Sequence, residues 1–291
     1  MNPIGANTWI WVSPLTDERL DILAPKVAGW GFDLIELPIE NPSDWDPGHA
    51  AETLAENGLG ATVCAAMAPG RELASADRAT IEATRDYIRH CIDAAATVAG
   101  HGNGVVAGPL YASVGRTWRM AAGERAALLD ELVESLKILA DYAGERDVRL
   151  AVEPLNRFET SVINTAEQAL EVVEAVDSSA CGILLDTFHM NIEERDPEAA
   201  IRSVGPRLAH FHACANDRGA PGNDHMNWAA ISTALAEVRY TGPVCIESFT
   251  SENESIATAA AIWRPLAPTQ DEIATSGLAF LRGVLNEPEN Q

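Results

Sequence analysis

The sequence has little positive charge. Among its 291 residues, 20 are Lys or Arg and 43 are Asp or Glu, which gives a formal net charge of −23 at pH 7. Lys and Arg form no run along the chain. Nucleic acid and anionic membrane surfaces are bound by basic faces, so neither partner is expected. An acidic balance keeps a protein soluble and is compatible with neutral substrates and with cations.

Apolar spans, a leader and paired cysteines are also missing. No segment approaches the roughly 18 apolar residues of a membrane helix. The N-terminal residues lack the basic start and long apolar core of a signal peptide. The five cysteines form no CxxC pair, which argues against a disulfide framework and a structural zinc site. These features predict a cytoplasmic protein with reduced cysteines.

Short apolar runs alternate with longer amphipathic stretches from one end of the chain to the other. The stretch 124–143 carries its apolar residues on one helical face, and capping patterns at Thr165 and Thr269 predict two helix starts, the second opening a closing helix over 269–285. Strands that alternate with helices in this way are typical of an α/β (β/α)₈ barrel, whereas a doubly wound sheet usually carries a GxGxxG turn. We therefore predict one TIM-barrel domain over residues 1–291, with 286–291 as a frayed tail. The predicted strands are 4–11, 32–39, 61–67, 104–107, 149–154, 182–186, 208–213 and 244–248.

Charged residues end several of these strands. Glu153, Asp186, His212 and Glu247 close the fifth to eighth strands, and Glu36 lies in the second. Any one of them alone is more often a helix cap, a salt-bridge partner or a core residue. In a barrel, however, the active site lies at the C-terminal ends of the strands. Three carboxylates and one imidazole there would bind a divalent cation, and they suit Mn²⁺, Mg²⁺ or Co²⁺ better than zinc.

Other candidate side chains follow these strand ends closely. Glu159 comes six residues after Glu153, His189 three after Asp186, and Arg218 six after His212. Each either binds a substrate oxygen or lies in a solvated loop. His210 shares a strand face with His212 and is expected to support the site or fill the core. Aromatic residues of the early part of the chain, which either stack on a sugar ring or fill the core, are Trp9, Trp11 and Trp118.

The segments EPLNRFET, LLDTFHMNIEE, HACANDR and IESF together resemble the ketose 3-epimerases, the D-tagatose and D-psicose (D-allulose) 3-epimerase group of xylose-isomerase-like TIM barrels. The resemblance covers essentially the whole chain. It implies a site for one divalent metal ion, Mn²⁺ first and Co²⁺ or Mg²⁺ as alternatives, and a homodimer or homotetramer. By motif, the implied metal ligands are Glu153, Asp186, His212 and Glu247, and the implied substrate-binding residues are Glu159, His189 and Arg218, with Trp118, Trp11 and Asn7 as further candidates.

The implied reaction is inversion of C3 of a free ketose such as D-tagatose, D-fructose or L-ribulose. Glu153 and Glu247 would face C3 from opposite sides, one removing the proton and the other returning it through an enediolate. Asn7 stands where the psicose enzymes have an aromatic residue. Cys214 and Ala215 stand where relatives often carry Ser-Glu, which leaves a sugar eliminase or dehydratase open. An aldose–ketose isomerase would use the same metal site.

Two further alternatives fit the sequence less well. A phosphoesterase acting on abasic DNA would need more histidine ligands and a basic surface. A non-enzymatic barrel would have lost the four ligands that this chain retains.

Overall fold

A closed barrel of parallel strands forms the centre of the molecule. The computed structural model describes residues 2–100 and 104–285. Within these ranges eight strands pair in sequence order, and β8 pairs with β1 to close the ring. The predicted TIM barrel is therefore confirmed, while the predicted tail 286–291 lies outside the described residues. The strands are β1 (Ile4–Asn7), β2 (Leu34–Ile39), β3 (Gly60–Ala65), β4 (Gly104–Gly108), β5 (Val148–Val152), β6 (Cys181–Asp186), β7 (Leu208–Ala213) and β8 (Val244–Ile246).

Helices connect the strands, and most of them carry a row of buried apolar residues. Thr165 and Thr269 cap helices as predicted, since their side chains accept hydrogen bonds from the backbone N–H groups of Gln168 and Glu272. None of the described helices is both long and apolar enough to cross a membrane. The helices are α1 (Asp17–Trp30), α2 (Pro47–Asn57), α3 (Arg78–Val98), α4 (Ala122–Gly144), α5 (Ala166–Val176), α6 (Thr187–Glu193), α7 (Pro197–Val204), α8 (Trp228–Glu237), α9 (Glu254–Ala259) and α10 (Gln270–Val284).

Four strands end earlier than the sequence predicts. β3 ends at Ala65 and β5 at Val152, each two residues early. β1 stops at Asn7 because the Asn7 side chain accepts a hydrogen bond from the Trp9 backbone N–H and opens a 3₁₀ turn. β8 stops at Ile246, one residue before Glu247. At both positions the chain leaves the sheet at the barrel mouth, next to a polar side chain, Asn7 in one case and Glu247 in the other.

Gly108, the last residue of β4, fixes the start of the loop that follows β5. Its carbonyl oxygen accepts a hydrogen bond from the Glu153 backbone N–H at 3.0 Å. Its φ angle is +133°, and a Cβ atom there would lie 2.9 Å from the Ala65 carbonyl oxygen. Only glycine fits such a backbone without strain.

We predict that Gly108→Ala lowers the free energy of unfolding by about 1–3 kcal/mol, the usual cost of strain at such a position. Gly29→Ala is the matched control, because Gly29 lies in α1 with no atom within 4 Å of the added methyl group. There, alanine is expected to be neutral or to stabilise the protein by up to about 1 kcal/mol. Urea unfolding of both variants measures the difference, and equal midpoints would contradict the close approach of β4 to β3.

Candidate active site

Four acidic or imidazole side chains converge at the C-terminal mouth of the barrel. Asp186 ends β6 and His212 lies in β7, while Glu153 and Glu247 come directly after β5 and β8. Each offers one ligand atom, and these four atoms lie within 4.8 Å of one another. All four residues are buried, with at most 4% of their surface exposed. The structure thus brings together the four residues that the sequence pointed to.

The imidazole of His212 is oriented by a carboxylate below it. Its Nε2 lies 2.8 Å from Oε1 of Glu36. Because an ionised carboxylate only accepts hydrogen bonds, Nε2 carries a proton there. The other nitrogen, Nδ1, faces the cluster, 3.4 Å from Oε1 of Glu247, and has no hydrogen-bond partner among the described residues.

The donor set fits one divalent cation. Three carboxylates and one imidazole nitrogen are ligands that Mn²⁺, Co²⁺ and Mg²⁺ accept, and the buried Nδ1 of His212 is left for such a partner. A cation would also relieve the repulsion among three buried carboxylates. The cluster therefore supports a single divalent metal site.

Repulsion and burial change the acidity of these groups. Burial and the charge of Glu247 raise the pKa of Glu153 well above its usual range. Burial raises the pKa of Asp186 to about 6, against the opposing effect of Arg218. Burial also opposes the charged form of His212, but Glu36 and Glu247 outweigh it and raise the pKa of His212 to about 10. Without a cation, protons therefore remain on the cluster near neutral pH.

Arg218 contacts two members of this cluster. One guanidinium nitrogen, Nη1, donates to Oδ2 of Asp186 at 2.8 Å and to Oε2 of Glu247 at 2.7 Å. The guanidinium also lies 3.9 Å from the ring centroid of Phe188. Arg218 has a φ of +68°, a conformation that an arginine rarely adopts. A backbone conformation that is rare for arginine thus places a buried cation against Asp186 and Glu247.

His189 and Glu159 complete the polar side of the site. The Asn156 backbone N–H donates to Nδ1 of His189 at 3.0 Å, so the neutral ring carries its proton on Nε2. That nitrogen lies 3.2 Å from Nη2 of Arg218 and 3.7 Å from Oε1 of Glu153. Burial and the charge of Arg218 hold the pKa of His189 well below its usual range. Glu159 accepts a hydrogen bond from the Asn156 side chain and lies 3.9 Å from Arg218.

A cavity of about 380 Å³ opens above these residues. Its polar lining residues include Glu153, Glu247, Glu159, His189 and Arg218. Most of the other lining residues are apolar, among them Trp9, Cys64, Met67, Phe249 and Ile256.

Three residues predicted to bind substrate lie elsewhere. The Trp11 ring stacks on Trp30, and its Nε1 donates to Asp271. Trp118 lies against the guanidinium of Arg116. Asn7 is buried beneath the cavity, where its side chain donates to Glu36. None of the three lines the cavity within the described chain, because β1 ends before Trp11 and Asn7 turns towards the barrel interior.

Two aromatic residues take the place that was predicted for Trp11 and Trp118. Trp9 and Phe249 line the cavity, and their ring centroids lie 5.6 Å apart. The sequence signal for Phe249 was its position two residues after Glu247, because alternate residues of an extended segment face the same side. Trp9 could not be separated from its neighbours without knowing where β1 ends.

Comparison with known proteins identifies the family of the chain. Residues 25–282 match the family model of the xylose isomerase-like TIM barrel. The chain is 34% identical over 278 residues to a probable ketose 3-epimerase of Synechocystis sp., covering 96% of this chain and 95% of the relative.

Solved structures give the same result. A structure of an L-ribulose 3-epimerase superposes with a TM-score of 0.91 at 31% identity, covering 98% of this chain and 95% of the other. A D-allulose 3-epimerase from Methylomonas sp. in complex with D-allulose superposes with a TM-score of 0.89 at 26% identity, covering 97% of both chains.

We predict that the apparent affinity for Mn²⁺ rises between pH 6 and pH 8. The raised pKa values of Glu153, Asp186 and His212 mean that more protons occupy the cluster at lower pH, and a cation has to displace them. Affinity should change by about tenfold per pH unit for each proton released. Titration calorimetry in two buffers of different ionisation enthalpy measures this release, and equal apparent enthalpies in the two buffers would contradict it.

Proposed function

Because the chain belongs to the xylose isomerase-like TIM-barrel family and, within it, to the ketose 3-epimerases, we propose that it inverts C3 of a free ketose with Glu153 and Glu247 as the acid–base pair. One observation carries this proposal. The two glutamates come from β5 and β8, strands separated by two others, yet their carboxylates reach the same buried cluster. Two carboxylates that approach one point from different strands can flank a carbon atom.

The residues of the cluster would hold one divalent cation, for which we propose Mn²⁺, with Co²⁺ or Mg²⁺ as alternatives. When bound, such an ion supplies positive charge that polarises a carbonyl group and makes the neighbouring C–H bond more acidic. Glu153, Asp186, His212 and Glu247 would be its ligands. The oxygen-rich donor set supports this choice.

Proton transfer needs one base and one acid on opposite faces of the same carbon. Glu153 would act on one face of C3 and Glu247 on the other. In one direction the first removes the C3 proton and the second returns a proton to the opposite face, and the roles reverse in the other direction. The low exposure of both glutamates keeps bulk water from reprotonating C3 on the wrong face.

Two donors beside Glu153 would hold a substrate oxygen. The Nε2–H of His189 and the Nη2 of Arg218 lie 3.2 Å apart, so one sugar oxygen can accept from both. Glu159, which lies on the same side, would accept a hydrogen bond from a sugar hydroxyl. Fixing the sugar at these points places C3 between the two glutamates.

The cavity supports a free sugar rather than a phosphorylated one. Among its described lining residues Arg218 is the one arginine or lysine, and it already pairs with Asp186 and Glu247. The apolar side can cover the carbon face of a sugar, for which aromatic rings such as Trp9 and Phe249 are suited. We therefore propose D-tagatose, the D-fructose/D-psicose pair or L-ribulose as substrates.

The cellular setting is proposed on two further features. All five cysteines are buried and free, which supports an enzyme of the reducing cytoplasm. Phe158 and Trp263 are more than 70% exposed, and large exposed aromatic residues are common at subunit interfaces. A homodimer or homotetramer thus stays a prediction, which sedimentation analysis measures.

We predict that the Mn²⁺-loaded enzyme introduces deuterium at C3 of its ketose in D₂O, together with the C3 epimer. Glu153→Gln and Glu247→Gln should each lower this exchange by at least about 10²-fold, the usual contribution of a general acid–base group. Glu174→Gln, on the exposed face of α5, is the control and should react like the unmodified enzyme. Proton NMR after removal of the metal measures the exchange, with the metal content of each variant determined in parallel.

Other results of this experiment would contradict the proposal. Deuterium at C1 or C2 would identify an aldose–ketose isomerase. Loss of water or of an aglycone from a 3-oxo sugar or an inosose would identify an eliminase. Retained exchange in Glu247→Gln would remove Glu247 from the reaction.

A further inference from the structure

A second buried carboxylate, Glu36, lies in β2 beneath the metal cluster and has no role in the proton transfer proposed above. Neither it nor its two histidine neighbours, His210 and His212, has any measurable exposure. A carboxylate buried this deeply is costly unless each oxygen has polar partners. The arrangement of those partners indicates what Glu36 does.

Each oxygen of Glu36 has two polar neighbours, although Nε2 of His210 lies close to Oε2 without making a hydrogen bond. Oε1 lies 2.8 Å from Nε2 of His212 and accepts a hydrogen bond from the Asn7 side chain at 3.0 Å. Oε2 lies 2.8 Å from Nε2 of His210 and accepts a hydrogen bond from the Thr62 hydroxyl at 2.9 Å. These four partners come from β1, β3 and β7, so the carboxylate joins three strands besides its own.

The contact with His212 decides which nitrogen reaches the cluster. With Nε2–H held by Glu36, Nδ1 is the ring nitrogen that faces Glu153, Asp186 and Glu247, and it is the one that would bind a cation after losing its proton. If the ring turned over about its Cβ–Cγ bond, the carbon Cδ2 would face the cluster in place of Nδ1, and Nε2 would leave Glu36. The edge-to-face packing of His210 on His212, with centroids 5.0 Å apart, limits the same rotation.

We propose that Glu36 is the positioning residue of the metal site: it fixes the ring and the proton of His212, and His210 acts through Glu36. This inference rests on the metal site of the proposed function, but it concerns binding of the ion and not the reaction. A carboxylate that orients a ligating histidine typically contributes 10- to 100-fold to metal affinity.

A rival reading of the same residues is a second metal site. Glu36, His210 and Cys245 each offer an atom within 4.8 Å of the others. It is disfavoured because both Glu36 oxygens already have two polar neighbours each. A second ion would have to displace His212 or Thr62 from them.

The test is the Mn²⁺ affinity of Glu36→Gln, measured without any sugar. Glutamine keeps the shape, but its amide nitrogen must face either His212 or His210, so one of these rings meets an N–H group in place of a carboxylate oxygen. We expect the Kd to rise about 10- to 100-fold. Glu72→Gln is the matched control, since Glu72 is a buried carboxylate that pairs with Ser113 and Arg116 outside the site; its Kd should equal that of the unmodified protein. An unchanged Kd in Glu36→Gln, or an equal loss in both variants, would overturn the proposal.

A double variant tests whether His210 acts through Glu36. His210→Gln alone should weaken Mn²⁺ binding, and adding it to Glu36→Gln should cause no further loss, because coupled residues are not additive. Full additivity would overturn that part of the proposal. If Glu36→Gln does not fold, His210→Gln and Thr62→Val decide, since each removes one contact of Glu36, and unchanged affinity in both would overturn it.

Cobalt distinguishes positioning from a second ion. The unmodified protein should bind one Co²⁺ per chain, with a visible absorption spectrum that changes in Glu36→Gln as the His212 ring reorients. Two Co²⁺ per chain with a thiolate charge-transfer band in the near ultraviolet would assign Glu36, His210 and Cys245 to a second ion instead. Because no ketose is present, failure of the sugar-exchange experiment leaves this result unaffected.

Discussion

The cost of burying negative charge shapes this barrel mouth. Glu36, Glu153, Asp186 and Glu247 are all within a few per cent of complete burial, and carboxylates in such surroundings require positive partners. The protein supplies two positive partners, the imidazole of His212 and the guanidinium of Arg218. The requirement for charge pairing accounts for how these two groups and the four carboxylates are arranged. His212 pairs with Glu36, and Arg218 pairs with Asp186 and Glu247. The negative charge that is left on the cluster is suited to a metal ion.

The barrel fold explains why a few residues from distant parts of the sequence are enough to form the site. Parallel strands end at one face, so residues far apart in sequence meet there without any dedicated element. Three local features then position the site residues. The Asn7 cap ends β1, and the carbonyl of Gly108 accepts a hydrogen bond from the backbone of Glu153. The positive φ of Arg218 turns its side chain inward. Each of these features lies at or after the end of a strand.

Much of this could be predicted because the strand ends are marked by residue type. The run LAHFHA has apolar residues with histidines at alternate positions, and its predicted bounds agree with β7. The acids at the ends of the late strands are similarly conspicuous. The role of Glu36 could not be derived, because its partner His212 is 176 residues away and the inward direction of its side chain depends on the barrel register. The aromatic candidates could not be ranked for a related reason: Trp9 and Trp11 have the same chemistry, and only the early end of β1 decides which one faces the cavity.

The position of Arg218 has a consequence for the metal-free form of the protein. A cation built into the chain already balances Asp186 and Glu247, so the empty site is not a set of unopposed charges. We therefore expect the barrel to fold without metal, and a chelator to remove the ion without unfolding the pocket. Loading becomes an exchange of one positive partner for another, which lets the ion be determined by cellular supply rather than by the folding of the chain.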